Sequence, residues 1–219
     1  MLISHSKKFI FVHNFKVAGT SIRGALEKYT YKCMPQVKRM EKILYLLGYY
    51  PWIFTDDFEQ HSLARELRGQ LPRKIFRKYY KFGFVRNPWD WQVSHYTYIC
   101  KSPHHYQYDL IRNMSGFEEY IHWRVNDCLE LQKDFFYDTD GTCLVDFIGK
   151  FENLSQDFTT ICQAIKVKSE LPHLNKSKSS KYLNFYTPET IDLVYEAYQP
   201  DIKLFGYDKP ELNRRAAAS

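Results

Sequence analysis

The sequence predicts an α/β fold built on a mostly parallel sheet, and two near-matching segments point to it first. "KFIFVHNFKVAGTS" (Lys8–Ser21) and "KFGFVRNPWDWQVS" (Lys81–Ser94) each pass from an apolar run through a loop into a helical pattern. Near-continuous apolar runs of this length mark strands covered on both faces, and strand–loop–helix is half of a βαβ unit. A third run, "CLVDFIG" (Cys143–Gly149), leads into the helical pattern "ENLSQDFTTICQAI".

Taken in order, Phe9 to His13 reads as the first buried strand, and "TSIRGALEKY" as a helix with Ile22, Ala25 and Leu26 at core spacing. Residues 31–60 are irregular in pattern. "HSLARELRGQLP" predicts a helix from about His61, stopped by Gly69 and Pro72, with a second short helix in "RKIFRKYY". Lys81 to Val85 is the second strand, and Pro88 suits the first turn of the aromatic helix "WDWQVSHYTYIC". "KSPHHYQYDLIRNMSG" reads as a polar loop, "FEEYIHWRVND" as a helix, and Cys143–Gly149 as the third strand, with a helix beginning near Asn153. "PHLNKSKSSKYLN" is too rich in Ser and Lys to pack and predicts a loop or lid. Thr187 and Pro188 open a last helix that ends before Pro200. With no periodic repeat and no linker, residues 1–219 read as a single domain.

Composition narrows the function classes. Eighteen Tyr and sixteen Phe argue for an aromatic-rich interior and a stacking surface. A net charge of +6 suits an anionic ligand, yet the basic residues are scattered among acids, which argues against a nucleic-acid partner. The five cysteines form no C-x-x-C pair and no zinc-spaced cluster, so they predict reduced, buried thiols and no metal site. The N-terminal apolar run is short and interrupted by Lys7 and Lys8, and "ILYLLGYYPWIF" falls well short of a bilayer span. The expectation is a soluble, cytoplasmic chain without stable membrane insertion.

The chemistry concentrates at the two loops. After the first strand, Ala18 and Gly19 let the backbone approach an oxyanion, Thr20 and Ser21 supply hydroxyls at the helix start, and Lys16 supplies a mobile positive charge. This is not a Walker A loop, because the lysine precedes the glycine. After the second strand, Arg86 offers a guanidinium fork and Ser94 a hydroxyl eight residues on. Two anion loops at two strand ends predict a ligand with two separated phosphate-like groups.

Together, "FVHNFKVAGTSI" and "KFGFVRNPWDWQVSHYTY" resemble the PAPS-dependent sulfotransferases, especially the carbohydrate branch (heparan 2-O and chondroitin type, family 2). The usual motifs there read like "HIPKTAGTS" and "FVRNPWDRxVSxY". The resemblance continues through "VDFIGKFENLSQDFTTIC", "LPHLNKSKSSKYLNFYT" and "DIKLFGYD", and so covers most of the chain. It implies a P-loop-NTPase-like, three-layer α/β/α fold with PAPS as co-substrate, no metal, and a hydroxyl-bearing acceptor, most naturally a saccharide. Carried over by position, the loop Lys16, Val17, Ala18, Gly19, Thr20 and Ser21 would hold the 5′-phosphosulfate, and Arg86 and Ser94 the 3′-phosphate. The Asn175–Tyr182 loop would close over the cofactor through Lys176, Ser177, Lys181 and Tyr182. Asn14-Phe15 in place of Ile-Pro, and Val17 in place of a small polar residue, depart from the pattern and bear on loop shape.

The resemblance further implies in-line sulfuryl transfer, with Lys16 neutralising the leaving phosphate. An imidazole suits removal of a hydroxyl proton at neutral pH, and His61 stands where the family's catalytic histidine does. His13 is expected to line the cleft, His95 to face elsewhere, and His104 or His105 to touch an acceptor; Glu59 and Asp57 are fallback bases. Two rival readings share the strand–loop–helix logic: an ATP-using P-loop kinase, and a non-catalytic nucleotide- or glycan-binding protein.

Overall fold

The computed structural model describes residues 1–30, 58–171 and 181–212. The chain divides into two compact units, Met1–Val85 with Asp134–Leu174, and Arg86–Lys133 with Asn175–Ser219.

The first unit carries a four-stranded sheet in the order β1 (Leu2–Ser4), β2 (Phe9–Phe11), β3 (Tyr80–Val85), β4 (Phe147–Lys150). β2, β3 and β4 run parallel, while β1 folds back antiparallel on β2. The fold is therefore mixed α/β with a mostly parallel sheet, as predicted. Register puts Phe11 beside Phe82, and Phe84 beside Gly149, on one face. That face is covered by α1 (Gly19–Leu26) and by a later helix, here α7 (Leu154–Ala164), through Ile22, Leu26, Leu154, Phe158 and Ile161. On the other face the Phe136 ring lies where a Gly83 side chain would be, 2.1 Å from the position of its Cβ. The Lys81 ammonium lies there too, 5.3 Å from the Phe76 ring. Phe76 belongs to α3 (Arg73–Lys78), which follows α2 (Ala64–Gln70).

Three boundaries differ from the sequence reading. α2 begins at Ala64, because the Leu63 N–H donates to the Glu66 carboxylate at 2.8 Å and Leu63 itself stays extended. His61 is thus left in a turn, and it is Pro72, beyond Gly69, that separates α2 from α3. The third strand starts at Phe147. Cys143 instead makes an isolated antiparallel bridge with Tyr137.

The second unit is helical: α4 (Pro88–Cys100), α5 (Tyr108–Arg112), α6 (Phe117–Asn126), α8 (Pro188–Ala197) and α9 (Gln199–Phe205). α4 starts as its sequence predicts, with Pro88 in the first turn and the Asn87 side chain accepting from the Trp89 and Asp90 N–H groups. α5 lies within the stretch expected to be a polar loop. Pro200 opens α9 as a first-turn proline. Trp89 and Trp91 are fully buried, whereas Tyr98 and Tyr106 are exposed, so only the tyrosines of that aromatic stretch offer stacking faces. Among the described cysteines all are free; Cys162 is buried but Cys143 is exposed, which corrects the expectation of buried thiols throughout.

Among the described residues no helix is long and apolar enough to cross a membrane.

Candidate active site

The loop after β2 is tied to its neighbour strand before it turns. The Val12 N–H donates to the Phe82 carbonyl at 2.8 Å, and Asn14, fully buried, donates through Nδ2 to the Phe84 carbonyl at 3.2 Å. Asn14 therefore stitches the loop to β3 at the position where the resembled motif has an apolar residue.

Beyond it the backbone turns left-handed twice, at Lys16 (φ 62°) and at Ala18 (φ 61°). A residue with a Cβ pays about 1–2 kcal/mol for that conformation. Val17, between them, is completely buried in the core beside Ile22, and burying such a side chain is worth about 1.5–3 kcal/mol. The buried valine thus offsets much of the strain in the turn around it.

The turn feeds directly into α1. Ala18 is the N-cap and supplies no side-chain acceptor, and the first intrahelical bond runs from the Ile22 N–H to the Ala18 carbonyl at 3.1 Å. The N–H groups of Gly19, Thr20 and Ser21 accordingly have no intrahelical acceptor, and they sit at the positive end of the helix dipole. Left-handed turns beside such a terminus form a concavity of N–H donors that suits a phosphate or sulfate. Lys16 and Ser21 are half-buried there and Thr20 is exposed.

Gly19 is required by what lies against it. A Cβ at this position would fall 1.6 Å from His13 Nε2. His13 is buried and does not line a cleft, contrary to the expectation; it buttresses the loop. Its Nδ1 is buried without a hydrogen-bond partner. Burial, followed by the neighbouring His61, the chain's amino terminus and Arg23, holds this imidazole far below its ordinary pKa, so it stays neutral.

His61 is exposed and stands beside the same loop. Its Nδ1 is 2.9 Å from the His13 carbonyl oxygen, its ring lies 4.6 Å from that of His13, and Phe15 meets it edge-on at 6.1 Å. Phe15 is held on another side by Phe135, with ring centroids 5.9 Å apart. The structure thus brings His61 to the residue immediately before Lys16. Glu59 is exposed.

In the second unit, Arg86 is buried and its Nε donates to Asp90 Oδ2 at 2.8 Å. The residue's main chain is held on both sides by one side chain. Gln132 Oε1 accepts from the Arg86 N–H at 2.9 Å, and Gln132 Nε2 donates to the Arg86 carbonyl at 2.7 Å. Ser94 is half-buried on α4, two turns after Asn87. His95 is buried, with Nδ1 3.0 Å from the Tyr120 hydroxyl. His105 stacks on exposed Tyr106 at 4.8 Å, and His104 is exposed. Tyr182 is half-buried in the 3₁₀ turn Lys181–Phe185, which includes the backbone of Lys181. Lys176, Ser177 and Asp57 lie outside the described residues.

Asp90 and Gln132 were not read from the sequence. Asp90 had a signal, its i,i+4 spacing from Arg86. Gln132 had none, being 46 residues away. Among the described residues, no group of three or more His, Cys, Asp or Glu is placed to hold a metal ion.

An uncharacterized protein of Archaeoglobus fulgidus is 30% identical over 53% of this chain and 92% of its own length. Human carbohydrate sulfotransferase 9 is 27% identical over 67% of this chain and 41% of its own length, so the match spans under half of that relative. The family model described as "Sulfotransferase family" matches residues 1–208, nearly the whole chain, and the chain belongs to that family.

Proposed function

We propose that the chain transfers a sulfuryl group from PAPS to a hydroxyl of a saccharide acceptor. The observation that carries this reading is the loop from Lys16 to Ser21. Its two left-handed residues open onto a helix start whose N–H donors lack intrahelical acceptors, with Lys16 beside them. The loop is short and its lysine precedes the glycine, which suits gripping the terminal end of an anionic ligand better than wrapping a triphosphate with Mg²⁺.

In this reading PAPS supplies an activated sulfuryl group on a phosphate leaving group. The N–H groups of Gly19, Thr20 and Ser21, with the Thr20 and Ser21 hydroxyls, hold the 5′-phosphosulfate. Lys16 neutralises the charge that grows on the bridging oxygen as the S–O bond breaks. Arg86 and Ser94 hold the 3′-phosphate, Asp90 orienting the guanidinium from its Nε side. Tyr182, Lys181, Lys176 and Ser177 remain proposed cofactor contacts.

His61 takes the acceptor proton. A carbonyl can only accept, so the 2.9 Å contact with the His13 oxygen puts the ring hydrogen on Nδ1 and the basic lone pair on Nε2. As the acceptor oxygen bonds to sulfur, its proton passes to Nε2, and the electron pair of the broken bond stays on the phosphate beside Lys16.

The test is transfer of ³⁵S from PAPS onto a panel of oligosaccharides, lipids and small hydroxyl compounds. Labelling of saccharides supports the reading. Labelling of only another class would move the acceptor, and no labelling of any would contradict the activity.

A further inference from the structure

We infer that Gln132 and Asp201 are positioning residues for the nucleotide's 3′-phosphate, acting through the main chain of Arg86; this rests on the role just proposed for Arg86. Arg86 is the first residue after β3, where the strand's ladder of main-chain hydrogen bonds stops. A buried main chain needs partners for both its N–H and its carbonyl. Gln132 supplies both with one carboxamide, accepting at 2.9 Å and donating at 2.7 Å, just as a neighbouring strand would. The amide is itself fully buried, so neither bond competes with water.

A glutamine has three side-chain rotors, so it can define Arg86 only if it is itself anchored. Asp201, also fully buried, supplies that anchor. Its Oδ2 accepts from the Gln132 N–H at 2.7 Å and its Oδ1 from the Lys133 N–H at 2.9 Å. Hydrogen bonds to an ionised acceptor are the stronger kind, and the two fix the start of the Gln132–Phe135 turn. The chain of constraint runs from a carboxylate on α9, through a peptide turn, to the Cα of Arg86. The guanidinium then needs only its own side-chain torsions to be set, and Asp90 holds its Nε at 2.8 Å. A fork positioned at both ends can discriminate a phosphate by geometry as well as charge.

The test is a double-mutant cycle on the whole chain, read by calorimetric binding of PAP and of adenosine 5′-phosphosulfate, which lacks the 3′-phosphate. Gln132→Met keeps the length and volume of the side chain but pairs with neither main-chain group. It is expected to weaken PAP binding by about tenfold, the scale of one or two lost hydrogen bonds, and adenosine 5′-phosphosulfate binding by less than about twofold. In an Arg86→Ala background the same change should cost PAP nothing further. Asp201→Asn, which retains one acceptor oxygen, should shift the ratio in the same direction by a smaller factor. Equal losses for both nucleotides, or a loss of PAP affinity that adds fully to that of Arg86→Ala, would overturn the inference. If Arg86→Ala alone weakens PAP and adenosine 5′-phosphosulfate equally, the role of Arg86 fails and this inference fails with it.

Discussion

The Nδ1 of His61 is hydrogen-bonded to the main-chain carbonyl of His13, a residue whose own ring is packed beneath Gly19. One residue thus supports the anion loop with its side chain and sets the tautomer of the neighbouring histidine with its backbone. The His13 side chain can therefore be changed without deleting the acceptor that orients His61.

If Nε2 of His61 removes the acceptor proton, His61→Ala should lower kcat by about 10²–10⁴-fold, the usual worth of a general base. PAP affinity should be preserved. Steady-state kinetics alongside calorimetry checks this; near-normal turnover would move the base elsewhere.

Lys16→Ala removes the charge that meets the leaving oxygen but leaves the N–H donors of α1 in place. Turnover should fall by about 10²–10³-fold, as for loss of one preorganised oxyanion donor, while PAP still binds measurably. Unchanged turnover in single-turnover assays would remove Lys16 from the chemical step.

Gly19→Ala places a methyl group on the His13 ring. Overpacking of this kind costs about 1–3 kcal/mol, so thermal melting should show a clear drop in Tm. A companion change, His13→Ala, should recover part of that loss by opening space; melting of the double variant tests the contact directly.

The buried, neutral His13 also makes stability depend on pH. Its pKa is lowered on folding, so the unfolded chain binds the proton more readily, and acid favours unfolding. The penalty is absent well above the ordinary imidazole pKa of about 6.5 and grows as pH falls through it. At pH 5 it should reach about 2 kcal/mol. Denaturant unfolding of the wild type and His13→Gln should show their stability difference shifting by that amount between pH 8 and pH 5, in favour of the variant.

How far the sequence could be read depended on whether the determining interaction was local. Pro88 announced α4 because a first-turn proline acts within a single helical turn. The Phe9 and Phe82 runs announced parallel strands because burial on both faces leaves an unbroken apolar pattern. β1 escaped notice since it is three residues long and antiparallel at the sheet edge. The start of α2 was misread because the N–H of Leu63 finds Glu66, and that bond fixes the first turn beyond His61. At the site, the KVAGTS loop was legible in residue types, but its left-handed turns at Lys16 and Ala18 occur at residues other than glycine, which composition does not reveal. The support of Arg86 by Gln132 and Asp201 joins positions 46 and 69 residues apart and left no local trace.

The most direct test of the central claim is the thermal shift of the purified chain with PAP, compared with AMP and with ATP–Mg²⁺ at equal concentration. A ligand that binds only the folded state at about 100 times its Kd stabilises it by about 2.7 kcal/mol. A large rise in Tm is expected with PAP and little with either of the others. A rise with ATP–Mg²⁺ that equals or exceeds that with PAP would contradict it.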